Sequence, residues 1–251
     1  MFNCALFKQS IKKNVKLWII LTSVICFFDC MVAFLAKVNP DFNLPGSPSG
    51  FDLITVYAGA FYGMMGLLLF LIYIIATGNK LVVSEVDKGE MSYTLNTPVS
   101  RRDVIFTKAI FYILSITAMV LALSIVGTVA NAVLSLGKLD YGIFWIINFV
   151  MFCFLFAISG ISFLASCWFN KSGSALIIGA GLPIAFFLFN TIASFGSELK
   201  FFKYITLNTL FDPVGIIAGN SFMVEALVLF EIGIVLYAIG FVKFLKKDLS
   251  L

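Results

Sequence analysis

The chain has 251 residues, 61% of them hydrophobic and 12% charged, with 17 Lys and Arg against 13 Asp and Glu. Soluble domains average about 45–50% apolar and about 25% charged residues, so a water-soluble globule of this composition has nowhere to bury its apolar side chains. Disorder, which needs few hydrophobic residues and much charge, is excluded for the same reason, and the composition reads as one all-α polytopic membrane domain over residues 1–251.

A membrane-crossing helix needs about 20 apolar residues. The first such stretch is Leu17–Ala36. It exceeds the apolar core of a cleavable signal, about 7–15 residues, and runs into Lys37-Val38-Asn39-Pro40 without a small-residue cleavage site. It is therefore read as a span. After an outer loop, Lys37–Leu53, the second span is Ile54–Ala76. It carries Gly59-x-x-x-Gly63 and Gly66, a spacing that lets helices approach closely. A hydrophilic connection, residues 77–108, leads to Ala109–Leu136 and Gly142–Phe169, each of 28 residues and long enough to tilt or to project beyond the hydrocarbon. Ala175–Phe195 follows, with Pro183 set to kink it, and Val224–Val242 is the sixth span. The runs are continuous rather than alternating, unlike the strands of a β-barrel.

Between spans five and six, Gly196–Met223 is rich in aromatic and aliphatic residues. Asp212-Pro213 opens a short helix that stops near Gly219-Asn220. Such a segment reads either as short re-entrant or interfacial helices or as an aromatic loop resting at the headgroups.

Lysines and arginines set the orientation. Placing both termini on one side gathers Lys8, Lys12, Lys13, Lys16, Lys80, Lys88, Arg101, Arg102, Lys108, Lys171, Lys243, Lys246 and Lys247 there, and leaves Lys37, Lys138, Lys200 and Lys203 opposite. Thirteen of the 17 on one face predict cytoplasmic termini by the positive-inside rule. The net charge of +4 then reflects these flanks, and no nucleic-acid partner is implied.

There is no histidine, no phosphate-binding loop and no nucleophile elbow, so neither a catalytic role nor a cofactor on this chain is expected. Cys26 and Cys30 share a helix face at a spacing that suits a metal, but without further ligands they read as apolar filler, like Cys153 and Cys167. Asp29, Glu225 and Glu231 fall within spans. Glu225 lies near a helix end and reaches water. Intramembrane carboxylates face a bundle interior by default, so Asp29 and Glu231 are candidates for lining a conduit. Asn131, Asn148 and Asn190 join them as candidates, or else serve as their hydrogen-bond partners.

The 77–108 connection is the most informative segment. Val82, Val83, Val86, Met91 and Leu95 can line one side of short helices, with Glu85, Asp87, Lys88 and Glu90 toward water. Pro98 ends that piece, and Ser100 caps the next helix with Asp103 as capping-box partner. By pattern alone this is either a surface helix that only joins two spans or a lever that transmits a push from a cytoplasmic partner.

Glu85-Val-Asp-Lys-Gly-Glu-Met-Ser-Tyr-Thr-Leu-Asn-Thr-Pro-Val-Ser-Arg101-Arg-Asp-Val-Ile-Phe-Thr-Lys108 resembles the acidic–glycine–"LL…P-V-S-R…K" signature of ABC-2-type permeases, the six-helix membrane subunits of ATP-binding-cassette exporters. Asn96-Thr97 departs from the small or leucine-rich pair usual there. The resemblance implies a coupling helix, residues 83–97, that docks on a separate ATPase through Glu85, Val86, Asp87, Lys88, Glu90, Met91, Tyr93 and Leu95, with Arg101 and Arg102 beside it. It also implies two ATPase copies holding ATP and Mg, a second permease copy as a homodimer or related heterodimer, and a bacterial plasma membrane. An amphipathic or antimicrobial peptide, or another hydrophobic compound, is the expected cargo. The other readings are a proton- or sodium-coupled secondary transporter and a peptide immunity or sensor subunit.

Overall fold

The computed structural model describes residues 2–38, 61–63, 66–96, 98–134, 140–193, 201 and 206–247. The first outer loop beyond residue 38, residues 54–60 and 64–65 of the expected second span (Gly59 among them) and most of the stretch from 194 to 205 lie outside the described residues, as does the side chain of Leu95. The elements in chain order are α1 (Cys4–Val38), α2 (Gly66–Leu81), α3 (Val83–Asp87), α4 (Glu90–Leu95), α5 (Arg101–Leu134), α6 (Tyr141–Trp168), α7 (Ser172–Gly179), α8 (Gly181–Ala193), a 3-10 turn at Leu207–Leu210, α9 (Pro213–Ile217) and α10 (Met223–Lys246). Among the described residues, six helical stretches are long and apolar enough to cross a membrane: Cys4–Phe34, Gly66–Asp87, Arg101–Leu134, Tyr141–Trp168, Ser172–Ala193 and Met223–Lys246.

Side-chain caps fix where three of these helices begin. Asn3 Oδ1 accepts from the N–H groups of Ala5 (3.0 Å) and Leu6 (3.2 Å), Ser100 Oγ from Asp103 (3.2 Å), and Asp140 Oδ1 from Gly142 (2.8 Å) and Ile143 (3.2 Å). The Asn3 cap explains why α1 starts 13 residues before Leu17, at Cys4. Lys8, Lys12, Lys13 and Lys16 lower the local hydropathy without interrupting the helix, because lysine is a good helix former. The fifth stretch is broken into α7 and α8 at Ala180. Pro183 supplies the cause: it has no N–H for the Gly179 carbonyl, and its ring crowds that same oxygen.

The core is organised around α6, most of whose side chains are buried. It packs along α10 by fitting aromatic rings against small residues. A Cβ added to Gly233 would lie 2.4 Å from the Phe156 ring, so only glycine permits this approach. Tyr237 stacks on Phe156 (centroids 5.3 Å apart) and Phe163 (4.8 Å), and its hydroxyl lies 2.9 Å from Ser159 Oγ. The second main pairing is α1 with α5, joined by the bond from Asn3 N–H to Thr107 Oγ1 (3.0 Å) and by that from Trp18 Nε1 to the Ser115 carbonyl (3.0 Å). Near the far end, Pro213 opens α9 at its first position, and the chain leaves it through Gly219.

Candidate functional site: the α3–α4 element

The segment between α2 and α5 folds as two one-turn helices at the chain's lysine-rich end. Gly89 separates them with φ +70°, a left-handed conformation that costs an L side chain about 1–2 kcal/mol, and nothing crowds its vacant Cβ position. The Ser92 hydroxyl donates to the Gly89 carbonyl (2.6 Å) and steadies the corner.

One side of this element is entirely inside the protein. Val82, Val83, Val86 and Met91 are at most 2% exposed. Four helices hold it. From α6, Ser166 Oγ accepts the Val83 N–H (2.9 Å). From α7, the Ser172 N–H donates to Asp87 Oδ2 (3.1 Å), and Asn79 Nδ2 of α2 reaches Ser172 Oγ (2.7 Å). From α5, Lys108 is 3% exposed and donates to Glu85 and to the Leu81 carbonyl. From α1, Lys13 Nζ bridges Glu85 Oε1 (3.0 Å) and Glu90 Oε2 (2.9 Å). Lys80 Nζ returns to the Lys13 carbonyl (2.7 Å). The Lys13 ammonium, by hydrogen bond and charge, holds the Glu90 carboxyl below its usual range.

The geometry divides the residues expected to meet a partner. Val86 and Met91 are anchors, buried against their own chain. Glu85, expected toward water, is turned inward with a side chain 13% exposed, because the buried Lys108 needs a counter-charge. Asp87, Lys88, Glu90 and Arg102 are exposed, and so is Tyr93, at 78%. Arg101 is half-buried and donates to the Lys247 carbonyl (3.1 Å), tying the start of α5 to the end of α10. Sequence reasoning missed Lys108 as a participant. Its signal was position: a lysine at the mouth of an apolar run, five residues past Asp103.

Residues proposed for a conduit are only partly brought together. Asp29 of α1 is fully buried beside Gly127 of α5 and Phe144 of α6, a Cβ on Gly127 falling 2.9 Å from its Oδ2. Within about one turn of that contact, Asn131 Nδ2 donates to the Tyr141 hydroxyl (2.8 Å). Asn148 donates to the Phe144 carbonyl (2.9 Å) and accepts from the Tyr62 hydroxyl (3.1 Å). Glu231 lies apart, exposed on α10, and Asn190 is half-buried on α8. Cys26 and Cys30 gain no further ligands: no group of three or more His, Cys, Asp or Glu suited to a metal occurs among the described residues.

A lysine-rich end, six crossing helices and a buried-backed double helix between the second and third crossings are the features on which family comparison bears. Residues 5–249 match the family described as ABC-2 family transporter protein. The chain belongs to the ABC-2 transporter family. A search of the curated proteins gives no match. As an ABC-2 permease the chain is a multi-pass membrane protein and a transport subunit rather than a catalyst, and the family implies partnership with an ATP-binding-cassette subunit.

Proposed function

We propose that this permease is the transmembrane subunit of an ATP-driven exporter in a bacterial plasma membrane, and that α3–α4 is its docking lever. The observation that carries the reading is the contrast between the two faces of that element. One face is buried, and the element as a whole is tied to α1, α5, α6 and α7. The other presents Asp87, Lys88, Glu90 and a Tyr93 that is 78% exposed. A large aromatic standing in water beside charged residues suits an anchor for a protein partner, since tyrosine is enriched at interface hot spots. Movement of that partner would be passed to four crossing helices at once. On this reading both termini are cytoplasmic, two ATPase copies carry ATP and Mg, and two permeases, identical or related, enclose the pathway that Asp29, Asn131 and Asn148 help to form. The absence of a nucleotide-binding motif and the 29 phenylalanines favour a passive doorway for an amphipathic peptide or another hydrophobic compound.

Affinity purification of the chain from cells co-expressing candidate ATP-binding-cassette ATPases of its source tests this reading. The ATPase is expected to co-purify, and Tyr93→Ala is expected to weaken the complex at least about tenfold, the loss typical of an interface anchor. An isolated subunit that binds no ATPase and moves cargo on a proton or sodium gradient would establish the carrier reading instead.

A further inference from the structure

Helices α1 and α5 leave a groove of about 290 Å³ between their halves nearest the α3–α4 element. Phe7, Ile11, Val15 and Trp18 form one wall, and Phe111 and Leu114 the other. Asn14 and Ser115 also line it, but both are buried and bond into the helices, so the accessible wall is hydrocarbon; the Asn14 Oδ1 is a buried oxygen left without a hydrogen bond there. Trp18 Nε1 donates to the Ser115 carbonyl (3.0 Å), the Asn14 amide to the Ser10 carbonyl (2.9 Å), and the Ser115 hydroxyl to the Tyr112 carbonyl (2.8 Å). Ile11 and Leu114 are 40% and 51% exposed, so the groove opens sideways from the bundle. A cleft whose accessible wall is almost all carbon holds water poorly, since a bound water needs about two to four polar partners. Its natural filling is a hydrocarbon chain.

The sequence beside it repeats a pattern. The wall residues Phe7, Ile11 and Val15 are each followed directly by an exposed lysine, Lys8, Lys12 and Lys16. Four-residue spacing aligns these ammonium groups into a stripe along one edge of the groove, about 100° around α1 from its wall. None of the three joins an ion pair among the described residues, whereas Lys13, on another face, takes both Glu85 and Glu90. Their aliphatic stems can lie along apolar surface while the charges reach the polar boundary.

We infer that this groove binds an anionic phospholipid of the leaflet on the α3–α4 side, with an acyl chain between α1 and α5 and its phosphate on the Lys8–Lys12–Lys16 stripe. Charge selects this occupant. A cationic amphipathic peptide is repelled by the same lysines, and a zwitterionic lipid gains only the tail contact. The two walls of the groove are also the helices that carry Lys13 and Lys108, so the lipid site and the seat of the α3–α4 element share their supports.

The full-length chain in nanodiscs of equal parts phosphatidylglycerol and phosphatidylcholine, transferred to mild detergent, has its retained lipids counted by native mass spectrometry. Wild type is expected to keep phosphatidylglycerol in clear excess. Each lysine near a membrane surface is worth about fivefold in anionic-lipid binding, so K8Q/K12Q/K16Q should lower the preference by about a hundredfold. Ala118→Phe, which fills the groove from an exposed position of α5, should reduce retention of both lipids. Wild type that keeps the two lipids in their bulk ratio would overturn the inference, as would a lysine variant with its preference intact. Ready disulfide formation between two copies through Ala118→Cys, with no lipid retained, would assign the groove to a second copy and overturn it equally.

Discussion

Lys108 carries a deeply buried charge. It is 3% exposed, and its ammonium is tolerated there because Glu85 and the Leu81 carbonyl replace water around it. Removing one member of a buried ion pair strands the other, at a cost of about 3–5 kcal/mol, whereas replacing both with apolar residues is often nearly neutral. Glu85→Ala is therefore expected to lower the thermal stability of the detergent-solubilised protein sharply, and Glu85→Leu with Lys108→Met to recover most of it. A double variant as unstable as the single one would show that the pair does not act as a unit. Glu90 is a milder case, because its side chain is 48% exposed and its bond to Lys13 is screened by solvent. Its carboxyl is held below the usual range, so the stabilisation is complete above the unfolded value of about 4.3 and is lost as pH falls through the lower folded value. The stability difference between wild type and Glu90→Gln should be under about 1 kcal/mol at pH 7 and vanish in that acidic window. A difference that persists to lower pH would mean that Lys13 is not its source. At this scale the sequence was only half legible. The apolar side of Val82, Val83, Val86 and Met91 could be read from spacing, but the inward turn of Glu85 could not. It depends on a lysine 23 residues away that becomes a neighbour only when α5 folds back beside α2.

Among the elements, the α3–α4 pair depends on one left-handed corner. Gly89 has open space where a side chain would go, so replacing it tests backbone conformation alone. Gly89→Ala should cost about 1–2 kcal/mol of local stability, and Gly89→Asn less, because asparagine tolerates this region. Amide hydrogen exchange over residues 83–95 measures it. Unchanged protection in the alanine variant would mean that the corner carries no strain. The crossing helices themselves were legible from hydropathy, since continuous apolar runs of about 20 residues have few other uses. Their ends were less so. α1 begins at Cys4 and α2 continues to Leu81 because helix propensity and capping, not hydrophobicity, decide where a helix stops. Pro183 announced a discontinuity, and the structure places it at Ala180, beside the carbonyl that the proline leaves unbonded.

For the whole molecule, the decisive arrangement is a bundle whose central helix, α6, meets α10 through glycine–aromatic contacts, and whose α1–α5 pair supplies the lysines that hold the α3–α4 element. Family membership was legible in one loop because that loop joins unusual requirements in a short span: an apolar back, a charged front, a glycine corner and a proline stop. The placement of the candidate pathway residues was legible only in part, since side chains of separate spans meet only on folding. Asp29, Asn131 and Asn148 gather near one contact, while Glu231 remains on the exposed side of α10. The most direct test of the central claim is transport into sealed vesicles containing this chain and the ATPase that co-purifies with it, with an amphipathic peptide as cargo and ATP on the α3–α4 side. Peptide accumulation is expected only with the ATPase and ATP both present, and should be lost in Tyr93→Ala while the circular dichroism stays unchanged. Equal accumulation by the permease alone, without nucleotide, would contradict the account.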